Sequence, residues 1–387
     1  MRFLFYDIEI TGHHAEYIFH IVNYLTHRVH PHDEYIFVVN PDFESKFKFI
    51  VDSARENPSI RFVPVKKEET ANLKVANRFK RSIRNFHIVD NYAKKFHVDV
   101  CILLHLNVFQ IALGLRKTRY LIKGILFMQF TNMRLTTVRS YYYFLRRYFP
   151  FIMMNTNTSV ETIFLLNDQK SCDILNAKYK TDKYKYLPDP IPSFKLENGF
   201  EMRNAYRIAK EALLLLHFGS ISDRKGTLEI LEAVPHIEAS PNEKVCIFIA
   251  GKCSNSEFAT IIHEAMENAK KYPNVQVVWE DNFVSNNRMA SMFSQCDVVL
   301  IPYKNPEASS GVLGHAINAN KKVIGPSNGL IGTIIAGQEL GIVLDTITGR
   351  EIAQAINTIG QIPLVASKSK SFIEEHTPEN FAKKLLQ

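Results

Sequence analysis

Residues 297–324 read DVVLIPYKNPEASSGVLGHAINANKKVI. A short apolar run comes first, then Glu307-Ala-Ser-Ser-Gly311, then a helical pattern, then a second apolar run. Strand, loop, helix, strand is the unit of a parallel sheet with helices wound on both faces. The loop has its own chemistry. Ser309, Ser310 and Gly311 open the helix, where free backbone N–H groups and the positive end of the helix dipole attract an anion. Small residues let a phosphate come close, and the serine hydroxyls either add bonds or cap the helix. Glu307, ionised, only accepts hydrogen bonds, so it suits sugar hydroxyls rather than phosphate. A carboxylate for hydroxyls beside a nest for phosphate is what a nucleotide sugar needs.

The same alternation extends outward in both directions. RFLFY, EYIFVVN, IRFVPV, VCILLH and GILFMQF (residues 124–130) read as strands near the start, with a long helical segment over residues 70–96. A break falls at YKYLPDPIPSFKLENGF, where three prolines and a charged stretch suggest a linker leaving a last short strand. Six further strand candidates follow: LLLLHFG, KVCIFIAG, VQVVW, DVVLIP, KKVIG and GIVL. The expected fold is α/β, with two doubly wound, Rossmann-like parallel-sheet domains over residues 1–190 and 205–369. A C-terminal helix over residues 370–387 is expected to pack back on the first domain, and TPENFAKKLLQ in it carries a helix start, with Thr377 as N-cap and Pro378 in first position.

Composition narrows the class. A chain of 387 residues can bury full cores without disulfide or metal staples. Its five cysteines are scattered, without a C-x-x-C pair, and read as reduced thiols rather than a zinc site. No apolar run approaches a membrane span, and the start lacks the apolar region of a signal peptide. The formal charge of +8 fits an anionic ligand, an anionic membrane surface, or simply a basic solvated surface. A cytoplasmic protein is expected, either free or peripheral at the inner face of the membrane.

Ligands in such sheets bind beyond the carboxyl ends of strands, which singles out three more loops. TGHHAE follows the first strand: Gly12 permits a tight turn, and His13 and His14 stand at a helix start or are merely exposed there. HFGSISDRKG follows another strand: Gly219 and Ser220 lead to Arg224 and Lys225, two adjacent cations suited to a diphosphate. PSNGLIG places Gly329 and Gly332 about a third turn. No Asp-x-Asp occurs, so no metal is expected, and the diphosphate would be neutralised by cations and the helix dipole. The absence of a P-loop and of Gly-x-Ser-x-Gly disfavours ordinary ATPase and α/β-hydrolase chemistry.

On these motifs the second half resembles the retaining GT-B glycosyltransferases of the family 4 type, also called group 1. LLLLHFGSISDRKGTLEILEAV is similar to that family's Gly-Arg-x-x-x-x-Lys-Gly strand and helix, and residues 297–324 resemble its Glu-x7-Glu segment. The resemblance implies two Rossmann-like domains facing across a cleft, with a nucleotide-diphosphate sugar on the second and the acceptor mostly on the first. It implies metal-independent transfer with retention. By position, Lys225 would bind diphosphate, Glu307 the sugar hydroxyls, and Ser309–Gly311 the distal phosphate. Two positions depart. Ser220 stands where the family has arginine, with Arg224 as the available substitute. His315 stands at the second glutamate, and either accepts a ribose hydroxyl or packs within the helix.

For the acceptor side, Leu73, Phe79, Ile83 and Phe86 are expected on one face of the 70–96 segment, with Lys74, Arg78 and Arg81 as a basic stripe. MRLTTVRSYYYFLRRYF interleaves arginines with aromatics. Both suit an anionic membrane or a lipid-linked glycan, or equally a core-facing aromatic stripe with a solvated edge. No nucleic-acid motif accompanies the charge. The reading is therefore a glycosyltransferase acting on a glycan or lipid-linked glycan in surface polysaccharide biosynthesis, with His13 as an acceptor-side contact or proton carrier. Its rivals are a nucleotide-sugar epimerase on the same fold and a non-catalytic nucleotide-sugar-binding or scaffold protein.

Overall fold

The computed structural model describes residues 1–10, 12, 14–27, 32–74, 76–127, 130–238 and 244–387, except for the side chains of Asn72, Lys74 and Ala366. The chain divides into two compact units, Met1–Pro190 with Thr377–Gln387, and Ile191–His376.

The first unit is built on seven parallel strands: β1 (Arg2–Asp7), β2 (Glu34–Val39), β3 (Ile60–Pro64), β4 (Val100–Leu103), β5 (Leu121–Leu126), β6 (Val160–Leu166) and β7 (Tyr184–Leu187). Their order is β3-β2-β1-β4-β5-β6-β7. Parallel strands are covered on both faces and so read as continuous apolar runs. In β1, Leu4 and Tyr6 face one core cluster while Phe3 and Phe5 face the other. Phe5 stacks on Phe37 of β2 with ring centroids 4.6 Å apart.

The second unit has six parallel strands: β8 (Leu213–Phe218), β9 (Val245–Ala250), β10 (Val275–Glu280), β11 (Val298–Leu300), β12 (Lys322–Pro326) and β13 (Gly341–Leu344), in the order β10-β9-β8-β11-β12-β13. Leu214 and Leu216 face one side of β8, Leu215 the other. In both sheets the chain winds outward one way and then returns to wind the other way. That topological switch falls between β1 and β4 in the first unit and between β8 and β11 in the second, the position at which open α/β sheets in general bind ligands.

Several expectations need revising. β6 was not foreseen, and β5 begins at Leu121 rather than residue 124. The helical segment over 70–96 is two helices, Lys67–Lys74 and Arg78–Lys95, because Asn77 caps the second by accepting from the Lys80 amide. Phe79 then points outward, 53% exposed, while Leu73 and Phe86 are buried. Residues 191–204 do not hang free as a linker. Met202 is fully buried, and the amides of Glu197 and Met202 donate to Ser291 Oγ and Gln295 Oε1 at 2.8 and 2.7 Å, so the stretch is part of the second unit. Residues 370–387 are likewise not one helix. Ala366–Glu375 ends before Thr377, which caps Pro378–Leu386. Phe381 and Leu385 of this last helix are buried in the first unit, with the Phe381 ring 4.9 Å from that of Tyr17. Among the described residues, no helix is long and apolar enough to cross a membrane.

Candidate functional site

Two loops leave the β8/β11 switch point side by side. The first follows β8 through Gly219 to Lys225, and the second follows β11 through Pro302 to Gly311. Gly226 (φ +73°) lets them touch, because a Cβ there would run into the carbonyl oxygen of Pro302. The Lys304 amide donates to the carbonyl of Arg224 at 2.9 Å, which fixes the register between the loops.

Lys225 is buried, and its amine donates to the Phe218 carbonyl at 3.0 Å, 5.1 Å from the Tyr303 ring centroid. Gly219 (φ +108°) makes room for it, since a Cβ at Gly219 would overlap the Lys225 Nζ. The same point lies 3.8 Å from Val312 Cγ2, in the first turn of the helix Gly311–Asn318. The buried amine and the helix start therefore meet at Gly219. Arg224 is exposed and lies over Tyr303 at 5.5 Å. Neither cation forms an ion pair among the described residues. The acids nearby are taken: Lys304 pairs with Asp223 at 2.6 Å and Glu229 at 2.7 Å. Burial alone would lower the Lys304 pKa, but these two partners outweigh it and hold it above its ordinary value.

Ser310 caps the helix Gly311–Asn318, its hydroxyl accepting from the Leu313 amide at 3.4 Å. Helix geometry leaves the Gly311 and Val312 amides without intrahelical acceptors. Ser309 and Glu307 are half-buried on the approach to them. Glu307 makes no hydrogen bond or ion pair among the described residues. Ser220 is exposed at the mouth of the first loop. His315 lies one turn into the helix, half-buried, its ring 5.7 Å from Phe293 and 6.1 Å from Phe194. Gly329 begins the helix Gly329–Gly337 and Gly332 lies within it, so they do not bracket a turn.

Sequence reasoning missed His217. It is fully buried, with Nδ1 3.0 Å from the Leu300 carbonyl and Nε2 2.9 Å from Thr227 Oγ1. It ties β8 to β11 and to the helix after Lys225. Burial, aided by the Lys225 charge, pushes its pKa down to about 4.

Residues 199–379 match the model of the family described as glycosyl transferases group 1. The match spans nearly all of the second unit. The two parallel-sheet units have the GT-B fold of the glycosyltransferase structures that follow. A glycosyltransferase from Rickettsia africae superposes with a TM-score of 0.69 at 14% identity, covering 100% of this chain and 96% of that one. WaaG, a glycosyltransferase involved in lipopolysaccharide biosynthesis, gives 0.62 at 17%, covering 99% of each. Anabaena Alr3699/HepE in complex with UDP-glucose gives 0.65 at 15%, covering 100% and 98%. A comparison with curated protein sequences finds no match.

The first unit has a polar centre at its own switch point. Asp7 ends β1, and its buried carboxylate lies 2.6 Å from Nδ1 of His14, the first residue of the helix His14–Thr26. The His105 ring, just past β4, is 5.4 Å from that of His14. Burial lowers the His105 pKa to about 4. A cavity of about 680 Å³ opens here, lined by Asp7, Glu9, Asn40, Lys46, Asn85 and His105 among others. Gly12 (φ +66°) forms the turn into the helix, with open space where a Cβ would stand. His13 lies outside the described residues. The histidine brought to the carboxylate is its neighbour, His14.

Proposed function

We propose that the chain is a retaining, metal-independent glycosyltransferase of the hexosyltransferase type. It takes a sugar from a nucleotide-diphosphate donor to a hydroxyl of a glycan or lipid-linked glycan. The observation that carries this reading is the meeting, at Gly219, of the Lys225 amine and the start of the helix Gly311–Asn318, with Glu307 on the approach; among the described residues neither Lys225 nor Glu307 is in an ion pair. Cations and helix amides at one point bind a diphosphate, and they stabilise it further as it departs with its negative charge. Arg224 adds a second cation. Glu307 accepts from the donor sugar hydroxyls, and His315 accepts from the ribose. The bond from the anomeric carbon to the diphosphate breaks, and the acceptor oxygen bonds to that carbon from the same face. The acceptor proton passes to a phosphate oxygen. These protein cations supply the charge that an Asp-x-Asp-bound metal supplies elsewhere.

Retention is supported by the group 1 match. A UDP-sugar donor and a role in surface polysaccharide synthesis are supported by the likeness to Alr3699/HepE with UDP-glucose and to WaaG. The acceptor belongs to the first unit, with its Asp7–His14 pair and polar cavity. Exposed Val138, Tyr141, Tyr142 and Phe149 beside arginines suit peripheral contact with the inner face of a membrane.

UDP-, GDP- and ADP-sugars incubated with chelator, with nucleoside diphosphate release and product mass followed together, test the reading. Release from one donor, lost in Glu307→Ala and Lys225→Ala, is expected. A product with the donor's mass would make the chain an epimerase. Tight donor binding without turnover across a glycan acceptor panel would make it a binding protein.

A further inference from the structure

Two helices of the first unit, Arg78–Lys95 and Val138–Asn155, border a cavity of about 540 Å³. Arg78 and Arg81 line it from the first turn of one helix, and Arg146 and Arg147 from the middle of the other, with Tyr143 beside them. None of the described lining residues is acidic. Arg78 Nη1 donates to the Arg146 carbonyl at 2.7 Å, and Arg81 Nε to the Leu73 carbonyl at 3.3 Å, so backbone oxygens rather than acids orient two of the guanidiniums. None of the four is in an ion pair among the described residues. Arg147 Nη1 is buried and has no partner among them.

A merely solvated basic face would not look like this. Surface arginines normally reach water or an acid, and a buried guanidinium donor left unpaired is costly. Burial, followed by the charges of Arg146 and Arg147, holds the Arg78 pKa below its ordinary value. An anion in the cavity would satisfy the Arg147 donor and relieve this repulsion. Guanidinium forks match phosphate oxygens two at a time, which favours a phosphate over a single-point anion. Arg81 and Val108 also line the polar cavity at Asp7 and His105, so the two cavities adjoin.

We propose that the four-arginine cavity binds a phosphate or diphosphate group carried by the acceptor, with the rest of the acceptor leading toward the polar cavity. This rests on the transferase reading only for the word acceptor; the anion site stands on its own geometry. The chemistry is the same for a soluble phosphorylated glycan and for a lipid-linked diphosphate at a membrane.

Inorganic pyrophosphate titrated calorimetrically into the full chain tests it. The Lys225→Ala background removes diphosphate binding at the donor site. Binding is expected to persist there, to weaken tenfold or more on adding Arg147→Gln, and to recover only partly with Arg147→Lys, which restores charge but not the fork. Arg146→Gln, at an exposed position, gives the same test if Arg147→Gln fails to fold. Equal affinity in the Lys225→Ala chain with and without the arginine changes, or no binding in that background, overturns the proposal. Sedimentation with phosphatidylglycerol and phosphatidylcholine vesicles identifies the source. Arginine-dependent, pyrophosphate-displaceable binding to the anionic vesicles supports a lipid-borne phosphate; arginine-dependent pyrophosphate binding without vesicle binding supports a soluble one. A chain that takes pyrophosphate at these arginines but binds no nucleotide sugar keeps the anion site and drops the transferase reading.

Discussion

The amine of Lys225 reaches back to donate to the carbonyl of Phe218, 3.0 Å away, and occupies the space that a side chain at Gly219 would fill. The cation is thus seated before any ligand arrives, at the carboxyl end of β8 and next to the helix Gly311–Asn318. Preorganised charge of this kind needs little rearrangement as a leaving group develops negative charge.

Gly219→Ala tests that seating. The added methyl overlaps the Lys225 amine, and the φ of +108° is strained for alanine. We expect about 1–3 kcal/mol of lost stability in urea unfolding, together with weaker nucleoside diphosphate binding. Unchanged binding would show that the Lys225 position does not matter to the ligand.

Glu307→Gln separates function from folding. Glu307 is half-buried and makes no hydrogen bond or ion pair among the described residues, so the midpoint of unfolding should move by no more than about 0.5 kcal/mol in equivalent stability. Turnover of the donor sugar should fall about 100-fold through lost positioning. A variant as active as the parent would remove Glu307 from the site.

Lys304→Ala should harm the site indirectly. It strips the partner from Asp223 and from Glu229, and leaves negative charge beside Arg224 and Lys225. Donor affinity should fall several-fold, with recovery when Asp223 is also changed to Asn. No recovery in the double variant would mean that Lys304 acts on its own.

Acid should destabilise the fold through three histidines. His20, His105 and His217 all have their pKa lowered to about 4, in each case mainly by burial. Unfolded, they titrate near 6.5, so between 6.5 and about 4 the unfolded chain binds more protons. Their contribution is complete above 6.5 and is lost as pH falls, at about 1.4 kcal/mol per pH unit for each. Urea midpoints measured from pH 7 to pH 4 should drop accordingly, and His217→Gln should flatten the slope. A flat profile would contradict neutral burial.

The second sheet was legible because buried parallel strands are nearly all apolar, as in LLLLHF and VCIFIA. β6 escaped because its apolar run follows closely on the apolar end of the Val138–Asn155 helix, FPFIMM, so that no change of period marks the strand. The two loops of the proposed donor site were legible as short motifs: Glu307, Ser309–Gly311, Arg224 and Lys225 are all local. What the chain does not state locally is who meets whom. His217 reads as one more strand residue until β11 supplies the Leu300 carbonyl. Lys304 finds its acids 81 and 75 positions away. The arginine stripe was visible on each helix, but only the pairing of the two helices turns it into a cavity.

The most direct test of the donor site is calorimetric titration of UDP, without divalent metal, into the parent chain and into Lys225→Ala. Binding by the parent is expected to fall at least tenfold in the variant while the fold, read by its unfolding midpoint, holds. Equal affinity in both chains, or none in either for UDP, GDP and ADP alike, would contradict the assignment of the β8/β11 switch point as a nucleotide-sugar site.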